Sequence, residues 1–279
     1  MNRIVQGKNK KCKFGCIYCF TKENYETNGQ QPLNDVELEE IELIQPFSDY
    51  DVFACEDCDW ENEINMFSQY EKILSFATKA YISDETACKL SDINKRLQKK
   101  RAFLHVGISI TTIKYIKEVE PRTSSFECRV ESLKNLCKYN IPCSVIFRPV
   151  LPILDCEDIE KIVSETYQYC NNYIIGPLYL NRSIQSYLEG KGYEIIGKPH
   201  SVNWRKGTPI CNIYRSDKQE TDIIMCCERY GKKVYSSNSN AVENIKKILI
   251  SKLFEKMWKN GCVVTVLSSL NKTIDNYKL

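Results

Sequence analysis

Short apolar runs alternate with amphipathic helical patterns through residues 1–180, and this alternation narrows the fold more than any other feature. The run at 50–56 (YDVFACE) is short and apolar and ends in polar residues, and similar runs recur at 72–78 (KILSFAT), 103–110 (FLHVGISI), 143–148 (CSVIFR) and 173–180 (YIIGPLYL). Strands buried on both sides read this way, and such strands belong to parallel sheets. Helical patterns at 33–44, 61–70, 84–99, 124–139 and 156–170 separate them. Their openings carry capping residues: Asn34 and Asp35, Ser83 or Asp84, Ser124 and Ser125, and Asp155. A short strand at Arg3–Gln6 brings the total to six strand-helix units. The expected class is α/β, a parallel sheet with helices outside, either open or curved toward a barrel.

Residues 181–279 break the pattern and form a second region. A polar stretch punctuated by Gly and Pro runs to about residue 210, and the adjacent Cys226 and Cys227 follow. A Ser/Asn-rich linker at 236–240 precedes a helix at 241–259 and a strand-like CVVTVL at 262–267.

The net charge of +3 over 279 residues is too mild to point to a polyanion by itself. No apolar run reaches the roughly 18 residues of a membrane span, and MNRIVQGKNKK lacks the apolar core of a signal peptide, so a cytoplasmic protein is expected. Against that background, 15 cysteines beside two histidines stand out. A disulfide framework belongs to small secreted domains, so these thiols are expected to be reduced.

Cys12-Lys13-Phe14-Gly15-Cys16-Ile17-Tyr18-Cys19 is a C-x3-C-x2-C loop directly after the first strand. Three thiolates at this spacing can hold three irons of a 4Fe-4S cube and leave the fourth iron open to a small molecule. Gly15 lets the loop curl, and Tyr18 supplies an aromatic wall. The bland reading is a zinc site closed by Cys55 or Cys58, in a non-catalytic module that recognises a partner. In a parallel barrel the chemistry sits at the carboxyl ends of the strands. That rule draws attention to Cys55–Asp59, Lys79, Ser109–Thr112 and Arg148.

The loop, with its aromatic residue before the last Cys, resembles the hallmark of the radical S-adenosylmethionine (SAM) superfamily. Three further segments are similar to its spore photoproduct lyase branch: Glu118–Arg129 (EVEPRTSSFECR), Phe76–Lys79 (FATK) and Gly107–Ile110 (GISI). The resemblance runs from about Cys12 to Pro152. It implies a partial (β/α)6 TIM-type barrel over residues 1–180, with 181–279 as a C-terminal α+β extension that binds substrate or closes the barrel. It also implies a 4Fe-4S cluster on Cys12, Cys16 and Cys19, and SAM chelated to the open iron. An electron from the cluster would cleave SAM to methionine and a 5'-deoxyadenosyl radical that abstracts hydrogen from a substrate.

Carried over, Lys79 pairs with the SAM carboxylate and Ser109 bonds the ribose or methionine. Arg148 offers a bidentate anion site. Cys55 matches the lyase's hydrogen donor, with Cys58 as a rival; Glu56 has the alternative role of binding the SAM amino group. The substrate classes left open are DNA or RNA, a peptide and a small molecule, with flavodoxin or ferredoxin as the type of reducing partner. Two departures stand against direct transfer. Phe20 replaces a relay tyrosine and has no hydroxyl, and nothing beyond residue 180 matches the lyase's DNA-binding region. Among the other thiols, Cys211, Cys226, Cys227 and Cys262 are candidates for a second metal site, and the rest are expected in the core. His105 is expected to be a satisfied core histidine.

Overall fold

Seven strands form one parallel sheet: β1 (Arg3–Gln6), β2 (Leu43–Pro46), β3 (Ile73–Thr78), β4 (Leu104–Ser109), β5 (Cys143–Phe147), β6 (Asn172–Ile175) and, following β6 at the edge, β10 (Lys233–Tyr235). The computed structural model describes residues 3–6, 12–19, 39–46, 53, 59–201 and 210–259. Two compact units are present, Met1–Ala241 and Val242–Leu279. The sheet belongs to the first; the described part of the second continues the Asn238–Lys259 helix. Among the described residues the sheet is open, with no pairing between its first and last strands. None of the described helices is long and apolar enough to cross a membrane.

The expected capping holds for the central helices. Ser83 opens Asp84–Lys99 by accepting the Thr86 N–H at 3.1 Å, Ser125 opens Phe126–Lys138, and Asp155 opens Cys156–Thr166 with a 2.9 Å bond from the Asp158 N–H. Two expectations are corrected. The second strand is Leu43–Pro46, overlapping the end of the stretch 33–44 read as a helix, and the run 50–56 read as that strand lies outside the described residues apart from Phe53. Four residues are too few to show a period, and pairing with β1 on one side and β3 on the other decides the matter. The run 173–180 is also not one strand: it splits at Gly176-Pro177 into β6 and β7 (Leu178–Tyr179). The latter joins β8 (Lys198–Ser201) and β9 (Ile210–Tyr214) in an antiparallel sheet ordered β7-β9-β8. Two helices, Arg182–Gly190 and Asp217–Arg229, also fill the region beyond 180, and the expected strand at 262–267 lies outside the described residues.

Strand register brings alternate residues together on one face of the sheet: Ser75 pairs with His105, Ala77 with Gly107, Gly107 with Ser144, Ser144 with Asn172, Ser109 with Ile146 and Ile146 with Ile174. Gly107 is required there, because a Cβ would stand 2.2 Å from Ile146 Cδ1. Just past the strand ends, Gly176 gives room to the stem of Arg148, whose Cγ and Cδ would lie 2.9 Å from an added Cβ.

His105 is bonded at both ring nitrogens. Asn238 Nδ2 donates to Ser75 Oγ at 2.9 Å, and His105 is hydrogen-bonded through Nδ1 to Ser75 Oγ and through Nε2 to Ser144 Oγ, each at 2.8 Å. Burial pushes the imidazole down to about 3, so the folded protein holds it neutral. An unfolded histidine takes up a proton below about pH 6.5. Stability is therefore complete above that value and falls as the pH drops from 6.5 toward 3. The urea midpoint should decline between pH 7.5 and pH 5, and His105→Gln should remove most of that slope. An unchanged slope would show that the buried imidazole is not its source.

Candidate functional site

The cysteine loop is described from Cys12 to Cys19. Gly15 takes φ +68°, a left-handed conformation suited to glycine, and a Cβ there would stand 2.6 Å from Arg122 Nη2. Cys16 is buried, Cys12 and Cys19 are half-buried, and all three are outside any disulfide. Phe14, Cys16 and Tyr18 pack in one apolar cluster with Val119, Leu151, Ile153, Leu178, Ile184 and Leu188.

Two segments hold the loop. The Ile17 N–H donates to Val119 O at 3.0 Å, and the Tyr18 hydroxyl donates to Glu120 Oε1. From the other side, Asn181 Nδ2 donates to Ile17 O at 3.1 Å and Cys19 O at 3.3 Å. The same residue caps the Arg182–Gly190 helix by accepting the Ile184 N–H at 3.0 Å.

Glu120 is the electrostatic centre of the site. Its carboxylate pairs with Arg129 at 2.5 Å, both side chains being 0% exposed, and accepts the hydroxyls of Tyr18 and Thr111. Arg129 also donates to Ser124 O at 3.0 Å, Ser109 O at 2.9 Å and Thr123 Oγ1, so the buried guanidinium is satisfied on all sides. Burial alone would raise the Glu120 carboxyl, but the charges of Arg129 and Lys79 and the Thr111 and Tyr18 hydrogen bonds outweigh it and hold it at about 2. Burial, helped by the negative charge of Glu120, pushes the Cys16 thiol up to about 12. A buried thiol of this kind becomes a thiolate only when a cation such as iron compensates it.

Lys79 and Ser109 come together as expected. Lys79 Nζ donates to Ser109 Oγ, lies 3.9 Å from Glu120 Oε1 and stands 5.7 Å from the centroid of the Tyr18 ring. Tyr18, Lys79 and Ser109 therefore meet at the carboxyl ends of β3 and β4. Arg148 directly follows β5, and its stem lies against Gly176. Cys55, Glu56 and Cys58 lie outside the described residues. Glu120, Arg129 and Asn181 were missed as site residues. The first two lie inside a quoted motif, and Asn181 shows in the sequence only as a residue type favoured at helix starts.

The donor set fits a 4Fe-4S cluster: three thiols on one curled loop, with Glu120 neutralised by Arg129 so that no carboxylate competes for iron. Among the described residues no three His, Cys, Asp or Glu side chains converge on a single metal ion. A cluster does not require convergence, since each thiolate takes its own iron.

No family model matches the chain. An uncharacterized protein of Methanocaldococcus jannaschii is 26% identical over 204 residues, spanning 66% of this chain and 76% of that protein. Among solved structures, spore photoproduct lyase complexed with dinucleoside spore photoproduct matches with a TM-score of 0.54 at 15% identity, over 80% of this chain and 73% of the lyase. A doubly substituted lyase with bound AdoMet and dinucleoside spore photoproduct matches with a TM-score of 0.54 at 15% identity, over 84% and 76% of the two chains. The chain has the fold of these spore photoproduct lyase structures.

Proposed function

We propose that this chain is a radical SAM enzyme in which Cys12, Cys16 and Cys19 hold a 4Fe-4S cluster. The observation that carries the reading is the meeting of the Tyr18 ring, Lys79 and Ser109 at the strand ends beside the cysteine loop. When bound, the cluster supplies the electron that cleaves SAM to methionine and a 5'-deoxyadenosyl radical able to abstract hydrogen. The chain's own residues bind and orient. Since Arg129 already neutralises Glu120, Lys79 brings a net positive charge to the strand ends, suited to the SAM carboxylate. Ser109 Oγ takes a ribose or methionine group, and the Tyr18 ring forms an aromatic wall beside Lys79. Arg148, seated over Gly176, takes a second anionic group. Cys55 or Cys58 is the hydrogen donor to the product radical, and Glu56 is the alternative ligand for the SAM amino group.

The substrate proposed is a nucleic-acid lesion or nucleotide, with Arg148 on a phosphate. The support is the likeness to lyase structures that hold a dinucleoside lesion. A flavodoxin- or ferredoxin-type protein would supply the electron, and residues 181–279 would form the substrate side.

The test is anaerobic. The chain is loaded with iron and sulfide, given dithionite and SAM, and assayed for 5'-deoxyadenosine by chromatography. Reductant-dependent 5'-deoxyadenosine supports the reading, and none from an iron-loaded chain overturns it. Binding to a lesion oligonucleotide should weaken steeply with salt. Absent or salt-insensitive binding moves the substrate to a peptide or small molecule.

A further inference from the structure

Two separate segments tie the cysteine loop at Ile17, Tyr18 and Cys19. Resting on the reading of Cys12, Cys16 and Cys19 as cluster ligands, we infer that Asn181 and Glu120 are positioning residues that preset the geometry of the three thiols.

Asn181 uses its side chain twice. Oδ1 accepts the Ile184 N–H at the helix start, while Nδ2 reaches the carbonyls of Ile17 and Cys19 at 3.1 and 3.3 Å. Turning to satisfy one end would break the other, so a helix rooted in the apolar cluster through Ile184 and Leu188 fixes the loop backbone. Glu120 acts on the side chain between the second and third cysteines: it takes the Tyr18 hydroxyl while Arg129 and Thr111 hold the carboxylate. The Ile17 N–H to Val119 O bond adds a backbone tie next to Glu120. Cys16 thus lies in a loop anchored at residues 17, 18 and 19, and its buried thiol is held in place by groups that never touch iron.

Two substitutions separate this role from simple stability. Asn181→Asp keeps the helix cap, since a carboxylate oxygen still accepts the Ile184 N–H, but it loses both donors to the loop carbonyls. Tyr18→Phe keeps the ring and loses the hydroxyl. In the metal-free chain, iodoacetamide labelling of each cysteine is followed by mass spectrometry, with buried Cys143 and Cys170 as internal standards. Loss of these anchoring bonds should speed labelling of Cys16 at least roughly fivefold in each variant, with Cys143 and Cys170 unchanged. Labelling of Cys16 at the wild-type rate in both variants overturns the inference. Equal acceleration of Cys16 and the two standards also overturns it, since the bonds would then serve general stability. In the iron-loaded protein, a shifted electron paramagnetic resonance signal of the reduced cluster is the matching expectation. Failure of the wild type to take up iron would refute the cluster reading and leave the labelling result standing on its own.

Discussion

Replacing any one of Cys12, Cys16 or Cys19 with Ala is expected to abolish 5'-deoxyadenosine formation outright and to take the cluster's visible absorbance with it. The loss should be all-or-none because the three thiolates are proposed to hold three irons, and the loop gives the cube no spare protein ligand. A carboxylate cannot step in, since Glu120 is neutralised by Arg129 and occupied by two hydroxyls. The folded chain should survive the change. Cys12 and Cys19 are only half-buried, and alanine at 16 removes one small apolar group from a cluster that keeps Phe14, Tyr18 and Val119. Iron analysis, far-ultraviolet dichroism and the deoxyadenosine assay together check this. Wild type should load about four irons with matching sulfide. A wild type that instead binds one zinc would favour the non-catalytic module, and a cysteine variant with normal cluster and product would refute the ligand assignment.

Arg129→Ala should cost about 3–5 kcal/mol of stability, because it strands a carboxylate that is 0% exposed. The loss spreads further, since the guanidinium also serves the carbonyls of Ser109 and Ser124. pH gives the signature. In the wild type, Glu120 is held at about 2, so its contribution is complete above the ordinary carboxyl value near 4.5 and fades as pH falls toward 2. Without Arg129 the burial penalty dominates and the carboxyl rises above its unfolded value, so the variant should recover part of its deficit as pH falls from 7 to 5. Adding Glu120→Gln should recover part of it at pH 7. Urea midpoints of the two single variants and the double variant measure the coupling, and strictly additive losses would show that the two side chains do not act as a pair.

The central fold was legible because its signals are local. Continuous apolar runs marked β3, β4 and β5, and Ser83, Ser125 and Asp155 marked the helix starts to within a residue or two. β2 was not legible: Leu33, Val36, Ile41 and Ile44 recur at near-helical spacing, and only the neighbouring strands select an extended conformation at Leu43–Pro46. The site divides in the same way. Spacing alone exposed the cysteine loop, and Lys79 and Ser109 were found at strand ends. The grip of Asn181 on Ile17 and Cys19 spans 164 and 162 residues, a separation that leaves no local trace. The Glu120–Arg129 pair was quoted as part of a motif, yet its burial depends on Ser109 and Tyr18 arriving from other units.

The pairing of β10 with β6 has a consequence for how the molecule comes into being. The strand that completes the sheet edge lies almost 60 residues after the one it joins, with the antiparallel sheet and two helices in between. A ribosome that has delivered the six preceding strands has therefore made a sheet whose β6 edge still shows its backbone donors and acceptors to solvent. Such long-range closure slows folding and leaves an adhesive edge in the meantime. A chain cut at residue 180 should carry that edge permanently and be recovered largely as aggregate, and chaperone dependence during synthesis should end only once Tyr235 has emerged.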